Sequence, residues 1–305
     1  MKRRDFLSGV AATACLSCAP SIITKPRPRL AVTMDDFSLS FDKVLTPLER
    51  NARILSAFDR FSHKAAGFVS GKFVEHELGD RVLKTWQEAG HVIGNHSYSH
   101  LNSSSEDHEL IKADILKNHE RLKSYSAYEK YFRFPFLAEG GNSEKIEIYR
   151  TFLRANGFLP APVTIDSIDW YTASRFEKRL SENPKMGVST YKKYYVEMVV
   201  KLSRHFQNLA EKISHGDIPH ILLMHHNILN GLFLGDVLQA LSDDGWEFVD
   251  ADKALSHSFY QVQPSTPIRG RSLLSVLAME TGISDTGYPD AYYGFGEKTM
   301  DALGL

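Results

Sequence analysis

The sequence predicts an α/β fold built on a parallel sheet of about seven strands. Short apolar runs alternate along the chain with amphipathic stretches of helix length, and polar residues follow most of the runs. Such alternation produces βα units, and buried parallel strands have continuous apolar sequences. Seven strands suit either an open doubly wound sheet or a barrel that falls short of eight complete units.

Each predicted strand is short, apolar and bounded by polar or turn-forming residues, as expected for a strand buried on both faces. The seven runs are RLAVTM from Arg29, AAGFVS from Ala65, HVIGN from His91, YFRFPF from Tyr131, PAPVTID from Pro160, HILLMH from His220 and WEFVD from Trp246.

The stretches between these runs have helical periodicity and helix-end signals. Ser103 and Glu106 have the spacing of a capping box, and Gly157 and Gly245 each follow a periodic segment, where a glycine commonly ends a helix. The predicted helices cover residues 47–61, 103–125, 142–156, 191–214 and 230–244.

Composition and charge describe an ordinary globular protein. The chain has 305 residues, 43% of them hydrophobic and 24% charged, with a formal net charge of -1. This length suits one large α/β domain or two smaller ones. A nucleic-acid-binding protein would show a basic excess, so the charge argues against that class. A neutral partner such as a glycan remains compatible with it.

The first residues resemble an export signal. Three basic residues at positions 2–4 precede a short, moderately apolar segment at 7–19, which is too short for a transmembrane span. The pair Arg3 and Arg4 resembles a twin-arginine signal, with a general secretory leader as the alternative. We therefore predict that residues 1–29 are an export signal and linker, and that the mature protein is periplasmic or envelope-associated without a membrane span.

Both cysteines of the chain, Cys15 and Cys18, lie in this leader. The mature protein is therefore expected to contain no disulfide and no thiolate metal ligand. Neither cysteine has the leucine three residues before it that is usual in lipoprotein cleavage sites, so lipid attachment is the minor alternative.

Ionisable side chains follow five of the predicted strands. Because the carboxyl ends of parallel strands lie on one side of a sheet, these groups are expected to gather there. They are Asp35 and Asp36, His96 and His100, Arg133, Asp166 and Asp169, and His225 with His226.

Two imidazoles and one carboxylate form a common three-residue ligand set for Zn²⁺ or a similar cation. The segment GNHSYSH provides His96 and His100, and the adjacent carboxylates of Asp35 and Asp36 would repel each other without a cation nearby. The alternatives are two unrelated surface histidines and a pair of aspartates at a helix start. A second carboxylate could accept a proton from water, and a histidine opposite could protonate a leaving group.

Five ordered segments, TMDD, HSYSH, RFPF, DSIDW and LLMHH, resemble the motifs of the polysaccharide deacetylases, also called NodB-homology or carbohydrate esterase family 4 proteins. The resemblance extends from Leu30 to about Asp250. It implies a distorted (β/α) barrel with fewer than eight strands, and metal-dependent removal of an N-acetyl or sometimes an O-acetyl group. We therefore predict a catalytic domain over residues 30–256 and a C-terminal extension over 257–305.

The resemblance also assigns a role to individual residues. It implies that Asp36, His96 and His100 bind the metal. It implies that Asp35 is the general base, His225 the general acid, Arg133 the residue that orients the base, and Asp169 the carboxylate that tunes His225. It implies that the substrate contacts Leu223 in the acetyl pocket, Trp170 in a groove wall, and the backbone N–H near Phe136 as oxyanion donor. Asp166 is predicted to be structural.

The function expected from these residues is removal of acetyl groups from an N-acetylated glycan, chitin-like or peptidoglycan-like, with zinc as the expected metal and cobalt or nickel as alternatives. An O-acetyl esterase or a small-molecule amidase would use the same residues. A non-catalytic glycan-binding protein on this scaffold is the third alternative, although all the catalytic positions are filled. The sequence does not define the oligomeric state.

Overall fold

The computed structural model describes residues 26–41, 44–283 and 287–305. The predicted export signal, including Cys15 and Cys18, lies outside the described residues. The predictions of an export signal and of lipid attachment therefore remain predictions.

Within the described residues, eight strands form a single sheet in which every paired neighbour is parallel. They are β1 (Arg29–Asp36), β2 (Ala66–Val69), β3 (Val92–Asn95), β4 (Tyr128–Phe132), β5 (Leu159–Pro160), β6 (Ile165–Asp166), β7 (Pro219–His225) and β8 (Glu247–Phe248).

Helices alternate with these strands and cover the sheet. They are α1 (Pro47–Arg60), α2 (Glu77–Glu88), α3 (His108–Leu122), α4 (Ser143–Ala155), α5 (Asp169–Glu182), α6 (Ser189–Lys212), α7 (Ile228–Asp243), α8 (Ala251–Leu255), α9 (Leu273–Glu280) and α10 (Glu297–Ala302). Short 3₁₀ turns lie at Gly71–Val74, Pro135–Leu137, Ser258–Gln261 and Asp290–Gly296.

The sheet curls into an incomplete barrel. Its strand order is β5-β4-β3-β2-β1-β7-β6, with β8 beside the start of β1. Seven neighbouring strands laid flat would separate the two edges by about 29 Å, at about 4.8 Å per strand. The edge strands β5 and β6 are nevertheless joined by a link of five Cα steps, which reaches at most about 19 Å. The edges must therefore face each other, and the predicted distorted (β/α) barrel is confirmed.

The central strand β1 carries the barrel core. Leu30, Ala31, Val32 and Met34 are fully buried, which explains the unbroken apolar run. β1 pairs with β7 along almost its whole length, and this register sets Asp35 opposite His225. The longest strand pairing of the fold thus ends at two residues of the predicted site.

The predicted strand PAPVTID is wrong as a single element. Its first part contributes to β5, which pairs with β4, and its last part is β6, which pairs with β7 on the opposite edge. Pro162 lies in the link between them and has no N–H to donate, so one continuous ladder cannot form there. The proline therefore lies at the gap between β5 and β6, where the barrel stays open.

Two predicted boundaries are also corrected. Helix α3 begins at His108 rather than at residue 103, because Asp107 caps it through its side chain. The Ser103 hydroxyl instead donates to the Ala138 carbonyl and accepts from the Gly140 N–H. The strand predicted from Tyr131 begins earlier, and it ends before the turn at Pro135–Leu137.

The C-terminal extension packs against the open side of the barrel, at the link between β5 and β6. The Leu273 N–H donates to the Val163 carbonyl at 2.8 Å, and the Glu139 N–H donates to the Ile268 carbonyl at 2.9 Å. The extension contains α9 and α10. These two helices were not predicted from the sequence, and neither was α2.

Among the described residues, every helix is too short or too polar to cross a bilayer.

Candidate active site

Three predicted ligands converge at the carboxyl ends of β1 and β3. The Nε2 atom of His100 lies 3.0 Å from Asp36 Oδ1, and the Nε2 atom of His96 lies 3.4 Å from the same oxygen. One donor atom from each of the three residues lies within 4.8 Å of the others. The sequence prediction that these side chains meet is confirmed.

Backbone conformation aims these side chains at one point. Asp36, Ser97 and His100 have φ angles of 76°, 60° and 56°, in the left-handed region that residues other than glycine seldom adopt. Such conformations cost energy and concentrate at functional sites. The Asp114 carboxylate holds the turn between the two histidines by accepting from the N–H groups of residues 98 and 99, both at 2.9 Å.

The donor atoms suit a divalent cation. His96 Nδ1 lies 2.9 Å from the Arg133 carbonyl, which can only accept, so Nδ1 carries the proton and the Nε2 lone pair faces Asp36. Asp36 Oδ1 is buried and accepts no aligned hydrogen bond from the described residues. Burial alone would raise the pKa of Asp36, but its contacts with His100 and His96 hold it well below the usual range. An ionised carboxylate oxygen and two imidazole nitrogens this close together fit Zn²⁺ or a similar ion.

Asp35 lies next to this cluster and is held by Arg133. The Arg133 Nη1 donates to Asp35 Oδ1 at 2.6 Å and to the Thr33 hydroxyl at 2.8 Å. The same guanidinium donates through Nε to the Ala161 carbonyl at 2.8 Å. Asp35 Oδ2 remains 3.6 Å from His96 Nε2, so the second oxygen faces the cluster. The arrangement can orient a carboxylate that accepts a proton near a bound cation.

His225 and Asp169 form a pair in which Asp169 is fully buried and His225 is partly buried. Asp169 Oδ1 lies 2.7 Å from His225 Nδ1, and its Oδ2 accepts from the His225 backbone N–H at 2.9 Å. Burial alone would lower the pKa of His225, but Asp169, with smaller contributions from Asp36 and Asp35, raises it to about 10. The imidazole is therefore kept protonated and can donate from Nε2.

Two asparagines that were not predicted from the sequence complete this pair. Asn227 and Asn230 each donate through Nδ2 to Asp169 Oδ2 at 2.8 Å. Tyr195, on α6, donates to the side-chain oxygen of Asn230 at 2.7 Å and so fixes its orientation. The position of Asn227 directly before α7, typical of an N-cap, was the one signal available in the sequence.

The predicted substrate-contacting residues occupy different environments. Phe136 is half-exposed, has a φ of 58°, and packs edge-on against the His100 ring at 4.6 Å. Trp170 is half-exposed at the start of α5, and Leu223 is buried in β7, paired with Thr33. Their contacts with substrate stay predictions.

Two further residues from the strand ends are structural. Asp166 accepts from the Tyr288 hydroxyl at 2.6 Å and from the Ile168 N–H at 3.0 Å, as expected for a hydrogen-bonded strand end. His226 is buried and stacks on Phe37 at 4.9 Å. Burial lowers the pKa of His226 to about 3, so this imidazole is neutral and does not act as a general acid.

The fold and the site together define a class of protein: a parallel α/β barrel with an aspartate and two histidines at its strand ends, beside an oriented carboxylate and a histidine–aspartate pair. Residues 23–151 match the polysaccharide deacetylase family. This part of the chain is therefore similar to that family, as the motifs predicted. The match includes Asp36, His96, His100, Asp35 and Arg133, whereas Asp169 and His225 lie beyond it.

Individual relatives agree with this assignment. The chain is 28% identical over 136 residues to a peptidoglycan-N-acetylglucosamine deacetylase of Bacillus cereus, covering 44% of this chain and 46% of that protein. The chain thus spans less than half the length of this relative.

Solved structures share the fold. A peptidoglycan deacetylase of Bacillus subtilis superposes with a TM-score of 0.50 and 19% identity, covering 75% of this chain and 90% of that one. A mutant CE4 family pseudoenzyme with restored enzymatic activity, from Bacillus anthracis, has a TM-score of 0.51 and 20% identity, covering 75% and 68%. At these identities the similarity concerns the barrel alone.

Proposed function

We propose that this chain is a metal-dependent deacetylase that hydrolyses the N-acetyl group of an amino-sugar glycan. The convergence of Asp36, His96 and His100 next to the oriented carboxylate of Asp35 carries the proposal. The family match and the Bacillus cereus relative support the reaction class and the glycan.

The ligand set suits zinc, with cobalt or nickel as alternatives, because two imidazoles and one carboxylate leave positions open for water and substrate. A cation held there supplies Lewis acidity, which polarises a carbonyl and lowers the pKa of water. Asp36 would hold the cation through Oδ1, and both histidines through Nε2. The Nδ1–H of His96 donates to a backbone carbonyl and so keeps that ring in place.

The remaining residues would move protons. Asp35, oriented through Oδ1 by Arg133, accepts a proton from the attacking water at Oδ2. His225 donates a proton from Nε2 to the nitrogen of the amide as the C–N bond breaks. Asp169 stays ionised and holds His225 through Nδ1. Water and the N-acetyl group are thus converted to acetate and a free amine, with the N–H near Phe136 as the proposed oxyanion donor.

We further propose that the protein acts in the periplasm or the cell envelope. Support comes from the basic and apolar pattern of residues 1–29, with the twin-arginine pair. Mass spectrometry of the protein recovered from its native envelope tests this proposal. A mature N-terminus near residue 20 is expected, and an intact Met1 would contradict export with cleavage.

Acetate release tests the function directly. The purified chain, supplied with Zn²⁺ or Co²⁺, is incubated with N-acetylchitooligosaccharides and with peptidoglycan fragments. We expect release by the wild type and at least a hundredfold loss in kcat for Asp35→Asn, with metal content retained. Asp217→Asn, at an exposed aspartate that precedes β7 and so lies at the opposite end of that strand from His225, is the matched control. No release from any glycan by metal-loaded wild type would refute the function, and full activity of Asp35→Asn would exclude Asp35 as base.

A further inference from the structure

The C-terminal extension contains a strained segment that presents an aromatic ring. Gly294, Phe295 and Gly296 have φ angles of 58°, 61° and 80°, so three consecutive residues are left-handed. A phenylalanine in this region is unusual, and such strain persists where surrounding contacts enforce it. A Cβ added to Gly296 would lie 2.3 Å from the Tyr194 hydroxyl oxygen, so this close approach to α6 requires glycine.

The strained segment places Phe295 against Trp170. Their ring centroids are 5.0 Å apart at an angle of 65°, and Phe295 also lies 5.6 Å from Tyr171. Both rings stay accessible, with 43% of Trp170 and 39% of Phe295 exposed. Adjacent exposed apolar rings held by a strained backbone suggest a binding surface rather than core packing.

One ring of this aromatic pair is adjacent in sequence to a residue of the candidate active site. Trp170 directly follows Asp169, whose carboxylate binds His225, the residue proposed to protonate the leaving amine. The extension is anchored on both sides of the ring. Tyr288 donates to Asp166 at 2.6 Å, and Arg175 donates to Asp301 at 2.6 Å.

We propose that Trp170 and Phe295 form an aromatic platform that binds a second sugar residue of the glycan, next to the one being deacetylated. The proposal rests on the proposed function. A β-linked amino sugar has an apolar face of ring C–H groups, which matches a rigid aromatic surface. Both rings lie outside the residues matched to the family, and Phe295 belongs to the C-terminal extension, which therefore supplies half of the platform.

The test compares substrates of different length. Phe295→Asn removes the ring, and asparagine tolerates the left-handed backbone, so the loop keeps its course. We expect a roughly fivefold to tenfold rise in KM for the chitin pentamer, little change in kcat, and no change for 4-nitrophenyl acetate, which is too small to reach the platform. Phe295→Tyr should behave as the wild type. Met279→Ala, which truncates a residue of the extension with a similar exposed fraction of 42%, is the control.

An equal loss on all substrates, or an unchanged KM for the pentamer, would overturn the platform. Binding measured by calorimetry separates it from the proposed function. The Asp35→Asn protein should bind the pentamer, and adding Phe295→Asn should weaken that binding roughly fivefold to tenfold. This result would support the platform even if the wild type released no acetate. Self-association of the wild type that Phe295→Asn abolishes, without any effect on pentamer binding, would instead assign the surface to a second copy of the chain.

Discussion

At the scale of single residues, the two adjacent aspartates share one site because the backbone turns between them. Successive side chains in a regular strand point to opposite faces. Asp36 departs from strand geometry with its φ of 76°, and both carboxylates consequently approach His96 Nε2, at 3.6 Å from Asp35 and 3.4 Å from Asp36. One residue can then hold a cation while its neighbour, bound by Arg133, accepts a proton.

Removing a metal ligand should abolish tight zinc binding. Changes to residues that merely orient ligands cost tenfold to a hundredfold in metal affinity, so we expect Asp36→Ala and His100→Ala to lose more than about a hundredfold. Elemental analysis after dialysis and calorimetric titration with Zn²⁺ measure this loss. His108→Ala, at a histidine whose described ion pair is with Glu109, is the control. Wild-type affinity in both ligand variants would mean that the cation binds elsewhere.

The pair of His225 and Asp169 should make the stability of the metal-free protein depend on pH. The folded pKa of His225 is about 10, above its ordinary value of 6.5. The stabilisation is therefore complete below about pH 6.5 and is lost as pH rises towards 10. We expect the free energy of unfolding to fall by up to about 5 kcal/mol across that window, since one pKa unit is worth about 1.4 kcal/mol.

Urea denaturation at several pH values between 6.5 and 10 measures this dependence. Asp169→Asn removes the carboxylate that raises the pKa, so the variant should show a much shallower decline. A wild-type stability that stays level to pH 10 would show that His225 is neutral in the folded protein at neutral pH.

At the scale of elements, the segment after β1 is positioned by close packing against β2. The Phe37 ring lies 4.8 Å from Trp86 and stacks on His226 at 4.9 Å. It passes so close to Gly67 that an added Cβ there would lie 2.5 Å from a ring carbon. Because Phe37 directly follows Asp36, the fit between β1 and β2 also determines where this proposed metal ligand lies.

Gly67→Ala should therefore disturb both stability and metal binding. The added methyl must displace the Phe37 ring, and overpacking of this kind costs about 1 to 3 kcal/mol. We expect that decrease in the urea unfolding free energy and a weaker affinity for Zn²⁺. Gly187→Ala, at a glycine with no heavy atom within 4 Å of the added Cβ, should change neither. Equal behaviour of the two variants would contradict this account.

At the scale of the whole molecule, the edge strands β5 and β6 are not paired with each other, and other parts of the chain pack over the gap between them. The link between β5 and β6 lies under the C-terminal extension, where a cavity is lined by Val163, Tyr260 and Leu273 among others. Arg150 binds the extension by donating to the Pro264 carbonyl at 3.0 Å. The predicted boundary near residue 257 therefore separates two parts of the chain that share one core.

Truncating a buried side chain of the extension should destabilise the whole protein. Leu273 is almost fully buried, and Leu→Ala changes in such positions cost about 2 to 5 kcal/mol. We expect Leu273→Ala to lower the unfolding free energy within that range in a single cooperative transition. Met279→Ala, on the exposed side of α9, should change it by less than about 0.5 kcal/mol. A separate early transition in Leu273→Ala would indicate that the extension unfolds independently.

The sequence predicted the elements well where local pattern decides them. The apolar runs of β1 and β7, and the helices ended by Gly157 and Gly245, lie close to where periodicity placed them. It failed where a distant contact competes with the local signal. Ser103 has the spacing of a helix cap, but its hydroxyl is engaged by the loop after β4, and Asp107 caps the helix instead.

By itself, the sequence determined which chemical groups this protein carries at its strand ends, because apolar runs followed by polar residues are local patterns. It also determined that an aspartate and two histidines could meet, since parallel strands align their carboxyl ends. Only the tertiary structure decided that one predicted strand divides between opposite edges of the sheet, that two asparagines hold Asp169, and that Phe295 reaches Trp170. These contacts join residues far apart in the chain, and their partners depend on the curl of the barrel, which no local pattern encodes.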